Sequence, residues 1–151
     1  METPNLFELS IDGASSGFLN ETSRWAKFLA IVGFVMVGFM ILFSLAIIGL
    51  GNSNPMMQAS FQSAGYSNPA VLGIVYLVMA VVSIFPYLYL FQFATKMKAA
   101  LSSSEQDVLN SAFSSLKSCF KFVGVFTIIL LGFFVLAFAI GIVAIMTSSQ
   151  I

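Results

Sequence analysis

The chain has 151 residues, of which 59% are hydrophobic and only 8% are charged, and its six cations balance six acidic residues. A soluble domain carries about 25% charged residues, and one of this length would leave too much apolar surface facing water. The composition therefore predicts a small integral membrane protein, and the lack of a basic stripe argues against a nucleic-acid partner.

The absence of histidine and the presence of a single cysteine exclude several chemistries. Without histidine there is no imidazole base, metal cage or haem ligand, and one cysteine forms neither an intrachain disulfide nor a CxxC pair. Ser83 lies in an apolar run that has no His or Lys to activate it as a nucleophile. We therefore expect a protein that is not an enzyme and has no catalytic, cofactor-binding or metal-binding residues.

The chain divides into a short tail and one membrane domain. Residues 1–20 are acidic and polar, and we expect them to form a disordered N-terminal tail. Residues 21–151 contain three uncharged apolar runs, at 28–50, 71–93 and 122–146. Each run is long enough to cross a bilayer as a helix, which needs roughly 20 residues. The predicted fold is an all-α integral membrane protein with three transmembrane helices.

The positive charges predict the orientation of these spans. Every cation lies just before the first run, just after the second or just before the third. With three crossings those places face one side, and cytoplasmic flanks are the ones enriched in Lys and Arg. We therefore expect the N-terminus inside, the C-terminus outside, and an uncharged outer loop over 51–70. The six cations are Arg24, Lys27, Lys96, Lys98, Lys117 and Lys121.

The outer loop repeats the tripeptide Ser-Asn-Pro. Asparagine is a good helix N-cap and proline suits the first helical position. The copy at Asn68 is expected to start the second transmembrane helix. The copy at Asn54 is expected to start a short helix over Pro55–Ala64, which Gly65 would end.

The segment 94–121 is predicted to be a cytoplasmic helical hairpin that extends the second and third membrane helices. Apolar residues recur at helical spacing on both sides of Ser102–Ser104. Ser104 and Asp107 have the spacing of a capping box, which predicts the start of a new helix. The hairpin is the predicted contact surface on the soluble side, through Met97, Leu101, Leu109, Phe113, Leu116 and Phe120.

Small residues indicate where membrane helices approach closely. The third run contains such a face at Ala137, Gly141 and Ala144, and the first run contains Ala30, Gly33 and Gly38. These faces serve either contacts between the chain's own helices or contacts between subunits, and the sequence does not separate the two. We take the face in the third run as the predicted membrane-side contact.

Two functions fit these features. The first is a non-enzymatic protein that acts through protein–protein contacts, as an accessory subunit of a membrane complex or a homo-oligomeric scaffold. The second is an oligomeric pore or carrier for small solutes or ions, which requires the polar residues of the spans to face one lumen. The expected partners are membrane lipids and either further copies or other membrane-protein subunits. The polar residues are Ser83, Tyr87, Gln92 and Thr127.

Three stretches of the chain, Glu21–Phe34, Phe93–Leu101 and Leu116–Gly124, carry a family resemblance. Together they resemble a family of small bacterial inner-membrane proteins, widespread in the Bacteroidetes, whose function is unknown. The similarity runs from about residue 20 to 146. The resemblance implies a location in a bacterial cytoplasmic membrane and assigns no role to any residue.

Overall fold

The computed structural model describes residues 12–51 and 53–148, apart from the side chains at 143, 144, 147 and 148. Over these residues the chain consists of helices and turns, without a strand. Its helices are α1 (Gly13–Leu50), α2 (Pro55–Ser63), α3 (Pro69–Ser103) and α4 (Gln106–Ser148). By length and composition, α1, α3 and α4 are apolar enough to cross a membrane. The all-helical class is confirmed, and the three long helices indicate a membrane protein.

Helix α1 begins inside the segment that we predicted to be a tail. The Asp12 side chain accepts a hydrogen bond of 2.7 Å from the Ser15 backbone N–H and so caps the helix before Gly13. Hydrogen bonds from the Ser15 side chain and backbone lower the pKa of the Asp12 carboxyl, which keeps the cap charged. Residues 13–20 are therefore helical rather than disordered, while the rest of the predicted tail, 1–11, lies outside the described residues.

The two Asn-Pro pairs begin helices as predicted. The Asn54 side chain accepts a hydrogen bond from the Met56 N–H at 3.1 Å, and the Asn68 side chain accepts one from the Ala70 N–H at 2.9 Å. In each case proline occupies the first turn, where its missing N–H has no intrahelical partner to lose. Helix α2 ends beside Gly65, whose φ of +87° is the left-handed conformation that favours glycine.

The turn between α3 and α4 differs from the predicted capping box. Ser104 does not begin α4; it ends α3 with a left-handed backbone (φ 56°, ψ 26°), and its N–H donates to the Ala100 carbonyl at 2.9 Å. Helix α4 starts at Gln106 with Asp107 in its first turn. Ser104 therefore takes the place that glycine usually occupies after a helix, since a residue there must turn the chain.

Helix α3 is the element against which both other long helices pack, α1 along most of its length and α4 near the turn. The buried residues of α1 follow one another at intervals of three or four, with one interval of seven. This is the repeat of a coiled-coil seam. The seam consists of Ser23, Ala26, Ala30, Gly33, Val37, Ser44 and Ile47.

Two glycines in the α1–α3 seam leave room for the facing helix, Gly33 for a side chain and Gly73 for the backbone. A Cβ at Gly33 would overlap the Tyr87 ring, and a Cβ at Gly73 would lie 3.0 Å from the Ser44 carbonyl oxygen. A Cβ at Gly38 would meet nothing within 4 Å, because five residues beyond Gly33 place it away from the seam. Gly38, one of the small residues predicted for close contact, is therefore not part of it.

Gly33→Val is expected to weaken the α1–α3 contact, because the new side chain overlaps the Tyr87 ring. Overpacking of this kind costs about 1–3 kcal/mol. We expect a lower midpoint of thermal unfolding in detergent, followed by circular dichroism. Gly38→Val is the matched control, since it adds the same side chain to the same helix at an open position. Equal midpoints for the two variants would contradict the contact.

Ser104→Gly is expected to raise the same unfolding midpoint. Glycine adopts the left-handed conformation without the steric penalty of about 1 kcal/mol that other residues have. Ser103→Gly is the control, because Ser103 is still helical and glycine lowers helix stability. A midpoint that falls in both variants would show that the Ser104 backbone is not strained.

Candidate functional site

The predicted hairpin surface is divided by the fold into an interior and an exterior part. Met97 is fully buried and Leu109 is 7% exposed, so both belong to the chain's own core. Leu101 and Leu116 are partly buried against that core. Phe113 and Phe120 are 43% and 68% exposed. Of the six hairpin residues predicted to contact a partner, only these two phenylalanines are exposed.

Close helix packing explains which residues are inside. The core is formed at the place where α1, α3 and α4 meet, and it consists largely of alanine. Small side chains let helix backbones approach closely. The buried members of this core are Ala26, Phe93, Ala94, Met97, Ala100, Leu109 and Ala112.

Polar contacts that the sequence analysis missed also join α3 to α4. The Lys96 ammonium donates to the Ser115 hydroxyl at 3.2 Å, and the Cys119 thiol donates to the Pro86 carbonyl oxygen at 3.5 Å. Further along, the rings of Phe85 and Phe122 lie 5.9 Å apart. Helical spacing alone gives no signal for these pairs, because each depends on the register of the two helices.

Beyond Phe126, helix α4 is exposed throughout residues 127–142. In its most apolar 18-residue window no residue is buried. Large side chains are exposed on every side of the helix, including Ile128, Phe133 and Phe138. We call residues 128–142 the free segment of α4. Every residue of this segment, including the predicted contact residues Ala137 and Gly141, is exposed.

Two of the predicted contact residues of α4, Ala137 and Gly141, have open surroundings. A Cβ at Gly141 would meet nothing within 4 Å, and Ala137 is exposed on the same segment. The Ala144 side chain lies outside the described residues. Ala137 and Gly141 are therefore not covered by another helix in the described part of the chain.

The polar residues of the spans are mostly engaged within their own helices. The Ser83 hydroxyl donates to the Met79 carbonyl at 2.7 Å, and the Thr127 hydroxyl donates to the Val123 carbonyl at 2.8 Å. Tyr87 packs on Gly33 of α1. Ser83, Tyr87, Gln92 and Thr127 form no hydrogen bond with one another. Over residues 12–51 and 53–148, no three cysteine or acidic side chains gather as a metal site requires.

A groove of about 320 Å³ lies between α1 and α3 at the end that holds all six cations, which we call the charged end. Arg24 and Lys27 line it from α1, and Lys98 lines it from α3. Among the described residues, no carboxylate lies within 4 Å of these cationic groups. The other lining residues are Ser23, Ala94, Thr95, Ala99 and Ser102.

A family model, described as a family of unknown function (DUF5362), matches residues 69–146, which is just over half of the chain. The chain belongs to this family. No curated protein and no solved structure matches it. Membership of a family of unknown function, which the resemblance predicted, is thus confirmed.

The DUF5362 match coincides with one structural unit. It begins at Pro69, the first residue of α3, and ends two residues before the end of α4. It therefore covers the α3–α4 hairpin, with the Lys96–Ser115 and Cys119–Pro86 contacts and the free segment. The stretch Glu21–Phe34, which also carried the resemblance, lies outside the matched residues, as do the two groove cations of α1.

Met97→Ala is expected to destabilise the DUF5362 hairpin by about 2–5 kcal/mol, because it removes a fully buried side chain from the three-helix core. Phe120→Ala is the control, since that ring is 68% exposed. The midpoint of thermal unfolding in detergent is measured for both variants. An unchanged unfolding midpoint for Met97→Ala would show that the Met97 side chain is not packed in the three-helix core.

Proposed function

We propose that this protein is a non-enzymatic membrane protein that acts through protein–protein contacts, made chiefly by the free segment of α4. It serves either as an accessory subunit of a membrane complex or as a homo-oligomeric scaffold. One observation carries the proposal: small residues are used for helix contacts elsewhere in this chain, and those of the free segment have no partner helix in the part of the chain that the structure describes.

The contacts between α1, α3 and α4 show how small residues serve helix packing in this chain. Gly33 of α1 leaves room for the Tyr87 ring of α3, and Gly73 of α3 lies against the backbone of α1 at Ser44. Ala100 and Ala112 are buried between α3 and α4. Lipid tails solvate a leucine or phenylalanine as well as protein does, so small residues are what favours helix association. A partner helix packed on Ala137 and Gly141 would complete the same pattern.

The same proposal includes an orientation. All six cations lie at the charged end, before α1 or around the α3–α4 turn. The positive-inside rule supports placing this end, with the N-terminus, in the cytoplasm and the C-terminus outside. The hairpin extension then faces the cytoplasm with Phe113 and Phe120 exposed. The family resemblance supports a bacterial inner membrane as the location.

Gly141→Leu is expected to weaken the native assembly about tenfold, since overpacking a close contact costs about 1–3 kcal/mol. The readout is native mass spectrometry of the protein extracted in nanodiscs from its own membranes. Gly132→Leu is the matched control. It lies nine residues away on the same helix, on the opposite face, and its Cβ position is equally open.

A wild-type mass equal to a single chain with lipid would contradict the proposal. So would equal losses in the two leucine variants, because they would show no preference for the face of Ala137 and Gly141. A mass that contains other proteins supports the accessory subunit, and a multiple of this chain alone supports the scaffold. Phe113→Asp tests the hairpin surface in the same measurement.

A further inference from the structure

The groove at the charged end has an unusual distribution of charge. Arg24 and Lys27 stand on one side and Lys98 on the other, so both helices present cations to the same space. Positions that flank a coiled-coil seam commonly carry opposite charges, which attract across it. Here the charges are alike, and in the described part of the chain no carboxylate lies within 4 Å of them. An anion in the groove would remove this repulsion.

The position of the groove indicates where the anion comes from. The apolar run of α1 starts at Phe28, directly after the groove residue Lys27, and that of α3 ends at Phe93, directly before Ala94. Trp25, which follows the groove residue Arg24 in sequence, is 60% exposed and contacts the Phe28 ring edge-on at 5.9 Å. Tryptophan at the end of an apolar run is typical of the lipid headgroup layer.

We propose that this groove binds the phosphate of an anionic phospholipid. Arg24 and Lys98 contact the phosphate from opposite sides, and Lys27, whose ammonium lies 5.9 Å from the Phe91 ring, adds a third charge. The volume of about 320 Å³ admits a headgroup. The exposed apolar side chains of Phe28 and Leu29 continue from the groove along α1 towards the hydrocarbon layer. Basic pockets between membrane helices bind lipid headgroups in this way.

The test compares lipid binding to the purified full chain in detergent by native mass spectrometry, with phosphatidylglycerol and phosphatidylcholine as probes. We expect phosphatidylglycerol to bind at least tenfold more tightly. The double variant Arg24→Gln and Lys98→Gln is expected to lose about thirtyfold of that affinity, since two cations near an anionic lipid are removed. Lys117→Gln with Lys121→Gln is the matched control, because it removes two exposed cations outside the groove.

A second variant separates the groove from the general surface charge. Ala99→Phe fills the groove from an exposed position without changing the charge, and we expect it to lower phosphatidylglycerol binding as well. Equal affinity for the two lipids, or equal losses in the two double variants, would overturn the site. Displacement of the lipid by excess inorganic phosphate at constant ionic strength would overturn its assignment to a lipid and indicate a soluble phosphorylated ligand. Lipid binding to the groove does not depend on the contacts of α4, so this test and the test of the proposed function can fail separately.

Discussion

The antiparallel packing of α3 on α1 is the contact on which the rest of this structure depends. Its seam repeats at three- and four-residue intervals from Ser23 to Ile47, and it contains almost no large side chain. Lipid gives apolar helices no hydrophobic reason to associate, so the contact relies on van der Waals packing between closely spaced backbones. Gly73 provides that spacing where it meets the Ser44 backbone, and Gly33 leaves room for the Tyr87 ring midway along the pair. The pair in turn fixes α3, against which α4 packs near the turn, and it holds the two sides of the basic groove at a set distance.

Helix α4 is placed differently, because its apolar run is offset from that of α3. The run begins at Phe122, whose ring lies 5.9 Å from Phe85, eight residues inside the end of the α3 run at Phe93. At 1.5 Å per residue the offset is about 12 Å. The contacts of α4 with α3 thus lie between Leu109 and Phe122, and residues 128–142 of the remaining apolar length are all exposed. The free segment is a consequence of this register.

The sequence predicts the helices well and their contacts less well, for physical reasons. Three apolar runs and two Asn-Pro caps locate the long helices and α2, since lipid and capping act on local sequence. The start of α1 at Gly13 was not predicted, because the polar composition of residues 1–20 indicates a disordered tail. The helix nevertheless begins there, since the Asp12 carboxylate caps it. The hairpin was predicted from large apolar residues, which favoured Phe113 and Phe120, whereas close packing selects Ala100 and Ala112. The interval of three and four among the small residues of α1 is visible in the sequence and would have indicated the seam.

The groove was not predictable, because its cations on α1 are 71 to 74 residues in sequence from its cation on α3 and are brought together only by the register of the two helices.

The lysines of α4 constrain where the hydrocarbon layer begins. Lys121 precedes Phe122 and so lies near the level of Phe85 and Tyr87, and Tyr87 packs on Gly33. If the layer began at Phe28, the Lys121 backbone would lie about 9 Å inside it, and its side chain would have to extend back to the headgroups. If the layer began at Gly33, α1 would still have about 27 Å of apolar helix up to Leu50, close to the roughly 30 Å of a bilayer core. Burial of a lysine is costly in lipid, which favours a boundary nearer Gly33 than Phe28. Arg24, Lys27 and Lys98 then lie outside the hydrocarbon, at the depth where lipid phosphates occur, so the cations of α4 support the ligand assigned to the groove between α1 and α3.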